Sequence, residues 1–335
     1  MSQTYYQSTA AGSIMLFGEH SVLFGGQALI CAIDQRIEVN LIPRCDNQIN
    51  IISDRLGKFE TNLSQLESHT SFKFILESIR YFHSYLVTGF NLIINSEFAS
   101  NLGLGSSAAV TVATLSALSQ WLKLNLSPCE LFQAARKVIQ NVQGAGSGAD
   151  AAASIFGGVI AFRAQPFEIR QVDKIPSISL IYSGYKTPTK DVISKVAKDF
   201  DQLPQLLSHL YSTMDSCSQH ALVAWQQEDW PTVGKLMNIY HGLQQALGVS
   251  NLSINEIIEK LRQFPTICGS KISGSGLGDC IWGLGDIPKN SFPQNIAQQR
   301  AGIQQIDIAI NPAGCETKIR QNISLIETNN SLLSK

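Results

Sequence analysis

The sequence predicts an α+β protein built in two parts, on three observations. Alternating, strand-like stretches share the first half of the chain with alanine-rich, proline-free stretches of helical character. A second block with its own strand and amphipathic helices begins near Pro176. The 335 residues, 44% of them apolar, supply enough material for two cores or one large one.

In chain order, an apolar strand is expected from Ile14 to Phe17, ending abruptly at Gly18-Glu19-His20. Arg36 to Leu41 alternates as a half-buried strand does, and so does Phe90 to Ile94. Thr111 to Leu122 and Leu131 to Val142 read as helices. Gly157 and Gly158 read as a turn into a buried strand, Val159 to Phe162. The expected division is 1–175 and 176–335, although no Pro/Gly/Ser linker marks it. In the second part Ser177 to Tyr182 is a strand, and Asp191 to Phe200 and Leu203 to Ala224 are helical with i, i+3, i+4 apolar spacing. A glycine turn at Gly274 to Gly278 precedes Ile281 to Leu284, and Ile303 to Ile310 is strand-like. The polar tail from Asn329 is expected to fray.

Composition narrows the function. A net charge of −1 gives no electrostatic reason for nucleic acid or a membrane surface as partner. The start, Met1 to Tyr6, lacks a basic region followed by an apolar run, and the apolar stretch Ala28 to Ile33 is far too short to span a bilayer. Seven scattered cysteines without a CxxC pair fit a reduced, cytoplasmic protein with no zinc site.

Four segments are candidates for chemistry. The strongest is Gly103-Leu104-Gly105-Ser106-Ser107-Ala108-Ala109. Its glycines let the backbone approach an anion closely, and its serines can cap the helix that follows. The first-turn amides and the helix dipole then favour phosphate, while a serine hydroxyl can reach a magnesium ion. No lysine follows, so this is not the GxxxxGK[ST] loop, and a plain glycine turn before a structural helix is the alternative. The second segment is Ala11 to Gly26, where Glu19 and His20 directly follow a buried strand. They are either substrate-binding groups or a solvated turn. In the third, Gly144 to Gly158, Asp150 sits among small residues. It is either a helix cap or a base that accepts the proton of an alcohol attacking a phosphoryl group. The fourth, Lys271 to Cys280 (KISGSGLGDC), lines either a nucleotide or a packed turn.

All four segments, in this order, resemble the GHMP kinase superfamily over nearly the whole chain, from Gly12 to roughly Leu284. The resemblance implies an N-terminal, ATP-binding domain like the second domain of ribosomal protein S5. A ferredoxin-like C-terminal domain follows, with the active site in the cleft between them. Within the superfamily the chain looks most like the mevalonate kinases. LFGEHSVLFGG resembles their first motif, and Thr189 and Lys190 in SGYKTPTKDVI match their threonine-lysine segment. Met237 to Ser250 resembles a helix and turn also typical of them.

This resemblance implies ATP and Mg2+ as cofactors and mevalonate as the alcohol. It places phosphate binding on Gly103 to Ala108, magnesium on Ser107, catalysis on Asp150 and substrate contacts on Glu19, His20 and Thr189. It leaves a homodimer open. Two departures stand out. Ser13 replaces a lysine the family usually has, and Ile139, flanked by Gln140, replaces a glutamate shared with magnesium. GSGLGDC and QGAGSGAD also resemble the phosphomevalonate kinases, which usually carry Glu-Tyr rather than Glu-His. Other readings are therefore a phosphomevalonate kinase, another small-molecule kinase of the superfamily such as a sugar kinase, and a degenerate sensor that binds a metabolite without turnover.

Overall fold

The computed structural model describes residues 3–99, 101–144 and 146–322. The chain opens with β1 (Gln3–Phe17), β2 (Ala28–Pro43), β3 (Gln48–Ser53) and β4 (Gly57–Asn62). Helix α1 (Lys73–Tyr81) leads to β5 (Phe90–Ser96) and then α2 (Ser106–Trp121), α3 (Pro128–Gln143) and α4 (Ala149–Phe156). The hairpin β6 (Val159–Ala164) and β7 (Phe167–Val172) precedes β8 (Ile178–Tyr182). Next come α5 (Thr189–Asp199), α6 (Pro204–Gln226), α7 (Trp230–Ala246) and α8 (Leu252–Arg262). The chain continues through β9 (Gly269–Ser273), β10 (Cys280–Leu284), α9 (Ile296–Arg300), β11 (Gln304–Ile306) and β12 (Glu316–Asn322).

The strands form two sheets. The first runs β12-β1-β2-β5-β3-β4, with β6 branching from β2 and pairing with β7. Its pairs are antiparallel except β3 with β5. The second runs β11-β8-β10-β9 and is antiparallel throughout. The chain crosses between them after β7, close to residue 175. The last strand then returns to the first sheet, where Gln3 faces Asn322 and Thr9 faces Glu316. Residues 316–322 thus pack with the N-terminal body, although they lie far beyond the expected division.

Local sequence explains the helices that carry the site. Nearly every side of α2 is buried, including Ala108, Ala109, Val112, Ala113 and Leu115. Its small residues let it lie closely against β1 and β2 and against α1 and α3. In α3, Ser127 accepts from the Glu130 N–H while Glu130 reaches back to the Ser127 N–H, and Pro128 fills the first turn.

Two expectations are corrected. Helix α2 starts at Ser106 rather than Thr111, and its cap is Gly105, left-handed at φ 67°, with no side-chain cap. Ser106 and Ser107 lie inside the first turn, so they do not cap it. The stretch 303–310 is not one strand. Gln304 to Ile306 pair with β8, whereas Ile310 bridges to Ile33 of the first sheet. A segment that passes from one sheet to the other cannot keep a single ladder. The tail from Asn329 lies outside the described residues.

Candidate active site

Ser13 lies where the β1–β2 register shifts, between Ala11 and Ser13. Such irregularities re-aim a side chain, and here the Ser13 hydroxyl donates to Asp150 Oδ1 at 2.8 Å. Asp150 is the second residue of α4, which begins after left-handed Gly148 without a side-chain cap. Of the two roles open in the sequence, capping is not the one seen, since the carboxylate faces a hydroxyl 137 residues away. Burial pushes the pKa of Asp150 up, and the Ser13 hydrogen bond and the Lys186 charge pull it part of the way back.

The phosphate-loop candidate lies against the same strand. The Ser13 N–H donates to the Leu104 carbonyl at 3.0 Å, and the Cys280 thiol to that of Leu102 at 3.0 Å. Glycine is required twice. At Gly105 a Cβ would meet the Ser13 Oγ at 2.1 Å, and at Gly103 it would meet Asp279 Oδ1 at 2.7 Å. Both have φ near +70° as well, at 67° and 75°. Loop, Ser13, Asp150 and the late glycine turn are therefore contiguous. Ser106 and Ser107 are half-buried at the start of α2, while Leu104 and Ala108 are buried. The first turn of α2 holds no acidic side chain.

Glu19 and His20 occupy a different position from a solvated turn. A Cβ on Gly18 would come within 2.4 Å of the Ala28 Cα, so the chain must bend here through glycine at φ 96°. The bend drives Glu19 inward, where it is 3% exposed and pairs with fully buried Lys271 of β9 at 2.5 Å. Burial pushes Glu19 up and Lys271 down, and their mutual attraction pulls each back toward its charged form. The Glu19 Oε2 atom has no hydrogen-bond partner. The His20 ring Nε2 lies 2.9 Å from the Ser275 carbonyl, and burial lowers its pKa, which favours the neutral ring. Tyr240 of α7 closes the turn, accepting from the Gly18 N–H at 3.1 Å and donating to the Glu19 carbonyl at 2.8 Å. Thr189 is exposed at the first position of α5.

Three residues here escaped sequence reasoning as a set. Asp279 is 4% exposed at φ 62° in the late glycine turn. Lys186 Nζ lies 3.5 Å from its Oδ1. Burial pushes Asp279 up, Lys186 pulls it down, and the Asp150 charge pushes it further up. Ser13 completes the set as the partner of Asp150. The signal that could have flagged Asp279 is a carboxylate inside a glycine run, where a small neutral residue packs more easily. Ile139, 8% exposed on α3, is an apolar wall beside Gly146.

A half-buried carboxylate beside a glycine-cradled helix start is compatible with phosphoryl transfer to an alcohol. Residues 72–158 match the GHMP kinases N terminal domain, and residues 219–298 the GHMP kinases C terminal family. The mevalonate kinase of Thermococcus sibiricus is 32% identical over 295 residues, spanning 83% of this chain and 88% of that one. The crystal structure of the Methanococcus jannaschii mevalonate kinase superposes with a TM-score of 0.73 at 20% identity, over 91% of this chain and 98% of that chain. The Lactococcus lactis galactokinase complexed with galactose gives a TM-score of 0.76 at 17% identity, over 93% and 95%. The latter two share the fold and do not by themselves choose a substrate. The chain belongs to the GHMP kinases, a family of ATP-dependent small-molecule kinases. Within that family the curated relatives at 31–32% identity are named mevalonate kinases.

Proposed function

We propose that this chain transfers the γ-phosphoryl group of ATP to the primary hydroxyl of mevalonate. The observation that carries the reading is the Ser13–Asp150 hydrogen bond directly beside the Gly103–Gly105 cradle. It supports a reading in which Asp150 is the proton acceptor beside the terminal phosphate. The alcohol oxygen attacks the γ-phosphorus, the bond from that phosphorus to the β–γ bridging oxygen breaks, and the electron pair leaves with ADP. Asp150 orients the alcohol and takes its proton. Ser13 holds the carboxylate, and the amides and dipole at the start of α2 hold the phosphates.

Magnesium fits the residues present. A half-buried serine hydroxyl, Ser107, stands at the cradle, and hydroxyl, phosphate and water oxygens are the donors this ion prefers. When bound, the ion supplies charge neutralisation at the β- and γ-phosphates. His20 and Thr189 are assigned to substrate contact, and Glu19 to shaping the floor beneath it through Lys271. Mevalonate is favoured over phosphomevalonate because Ser13 stands where an enzyme for the more highly charged substrate would want a cation. Residence in the cytoplasm is supported by seven free cysteines, of which Cys45, Cys129 and Cys268 are exposed. No helix among the described residues is long and apolar enough to cross a membrane.

The test is ADP release from purified protein with ATP, magnesium and a panel of mevalonate, phosphomevalonate and galactose. Mevalonate-dependent ADP release, abolished in Asp150→Ala, is expected. Undiminished turnover in Asp150→Ala would remove the assigned base. Turnover of phosphomevalonate alone would move the substrate one phosphate along, and binding without turnover of any alcohol would favour the sensor.

A further inference from the structure

We propose that Lys186 is a catalytic cation of this site, parked on Asp279 and passing to the transferred phosphoryl group as the phosphorus–oxygen bond breaks. This deepens the phosphoryl-transfer reading and rests on it.

The argument starts from charge. Two carboxylates, Asp150 and Asp279, flank the loop on which phosphates would sit. One reaches it through Ser13 and Gly105, the other through Gly103. Bringing a polyanion between two carboxylates is costly unless a cation lies nearby. Ser13 is neutral, and the first turn of α2 carries no basic residue. Lys271 is fully buried and committed to Glu19. Among the described residues, Lys186 is a cation that pairs with Asp279 at 3.5 Å and whose charge also acts on Asp150.

Its placement suits a group that moves. The backbone around it is fixed to the late glycine turn: the Asp279 N–H donates to the Tyr185 carbonyl at 2.9 Å, and the Ser183 N–H to the Asp279 carbonyl at 3.0 Å. A Cβ on Gly278 would come within 3.0 Å of the Lys186 Cα, so these two stretches touch. The Lys186 side chain, in contrast, is 35% exposed and its contact with Asp279 is long, at 3.5 Å. Among the described residues, Asp279 Oδ1 has no hydrogen-bond partner nearer than this lysine. A long, partly solvated ion pair on a fixed backbone holds a flexible side chain near the cleft without committing it. During transfer the ammonium stays protonated: the alcohol proton goes to Asp150, the electron pair leaves with ADP, and Lys186 contributes charge alone. Asp279 is then a positioning residue.

The test compares the parent with Lys186→Met, Lys186→Arg, Asp279→Asn and the double variant Lys186→Met/Asp279→Asn. Losing a charge that acts in the transition state lowers kcat by about a hundredfold or more, with the KM for the alcohol changed by less than about threefold. Lys186→Arg should restore a substantial part of kcat, because it keeps the charge. Asp279→Asn should lower kcat less than Lys186→Met, and the double variant should match Lys186→Met, because Asp279 acts through the lysine. All variants should melt within a few degrees of the parent. A second readout needs no turnover: Lys186→Met should bind ADP with aluminium fluoride, a mimic of the transferring phosphoryl group, at least about tenfold more weakly, with ADP alone unchanged. The proposal is overturned by near-parent kcat in Lys186→Met, by arginine rescuing no better than methionine, or by unaltered aluminium fluoride binding. A parent that turns over no alcohol would instead overturn the phosphoryl-transfer reading, and the aluminium fluoride comparison would still decide Lys186.

Discussion

An aspartate in water ionises near 3.8, but Asp150 sits half-buried on α4 against Ser13 of β1, and burial raises its pKa despite the Ser13 hydrogen bond and the Lys186 charge. Only the ionised form accepts a proton, so kcat should fall as pH drops through a midpoint above 3.8, and a pH–rate profile measures it. The stability consequence has the opposite sign. A carboxylate whose folded pKa is raised holds its proton more tightly folded than unfolded, so folding gains as pH falls through that window and the charged form is a burden at neutrality. Asp150→Asn should therefore abolish turnover yet melt no lower than the parent at pH 7. A clear loss of melting temperature would mean that the ionised carboxylate stabilises the fold. The sequence marked Asp150 as a lone acid among small residues. It could not name Ser13 as its partner, because a contact across 137 residues leaves no local pattern.

At the scale of elements, the turn after β1 shows how a polar pair can serve two purposes. Glu and His after a buried strand were legible as special, and the cleft location was a reasonable expectation from the resemblance. What no periodicity could reveal is that Gly18 folds Glu19 back onto β9, where Lys271 is fully buried. The pair sits under the faces of Phe17 and Tyr240, with the Lys271 Nζ at 5.8 and 5.0 Å from the ring centres. Removing one member leaves an uncompensated buried charge, which costs about 3–5 kcal/mol, whereas removing both leaves none. Lys271→Met should therefore lose about that much in denaturant unfolding, and Glu19→Gln/Lys271→Met should recover most of it. Equal stabilities of the single and double variants would show that Glu19 simply takes up a proton at little cost. Helices were the easier elements to read. The capping box of α3 and the small residues of α2 are written locally, whereas the serine cap expected for α2 was displaced because left-handed Gly105 takes that position.

Across the whole molecule, Asp150 comes from α4 beside the first sheet, while Lys186 and Asp279 come from the loops that leave β8 and β9 of the second. The crossing from the first sheet to the second follows the β6–β7 hairpin. The return of β12 to pair with β1 was not legible in the sequence, because its partner lies some three hundred residues away and only the sheet brings them together. The same holds for Tyr240. Its hydroxyl bridges the Gly18 N–H and the Glu19 carbonyl, so one side chain of α7 ties the C-terminal half to the turn that ends β1. Burial raises its pKa well above 10, which keeps the hydroxyl protonated and donating throughout any working pH. Tyr240→Phe removes only that oxygen, keeps the ring against Phe17, and strands two buried backbone groups. The expected cost is about 1–3 kcal/mol in unfolding. If the tie also fixes the separation of the two halves of the proposed site, kcat should fall while ADP affinity, which the proposed reading assigns to Gly103–Ala108, stays within about twofold of the parent. Equal losses in ADP affinity and kcat would instead mean that the substitution disturbs the phosphate loop itself, and that Tyr240 supports the N-terminal body rather than the junction.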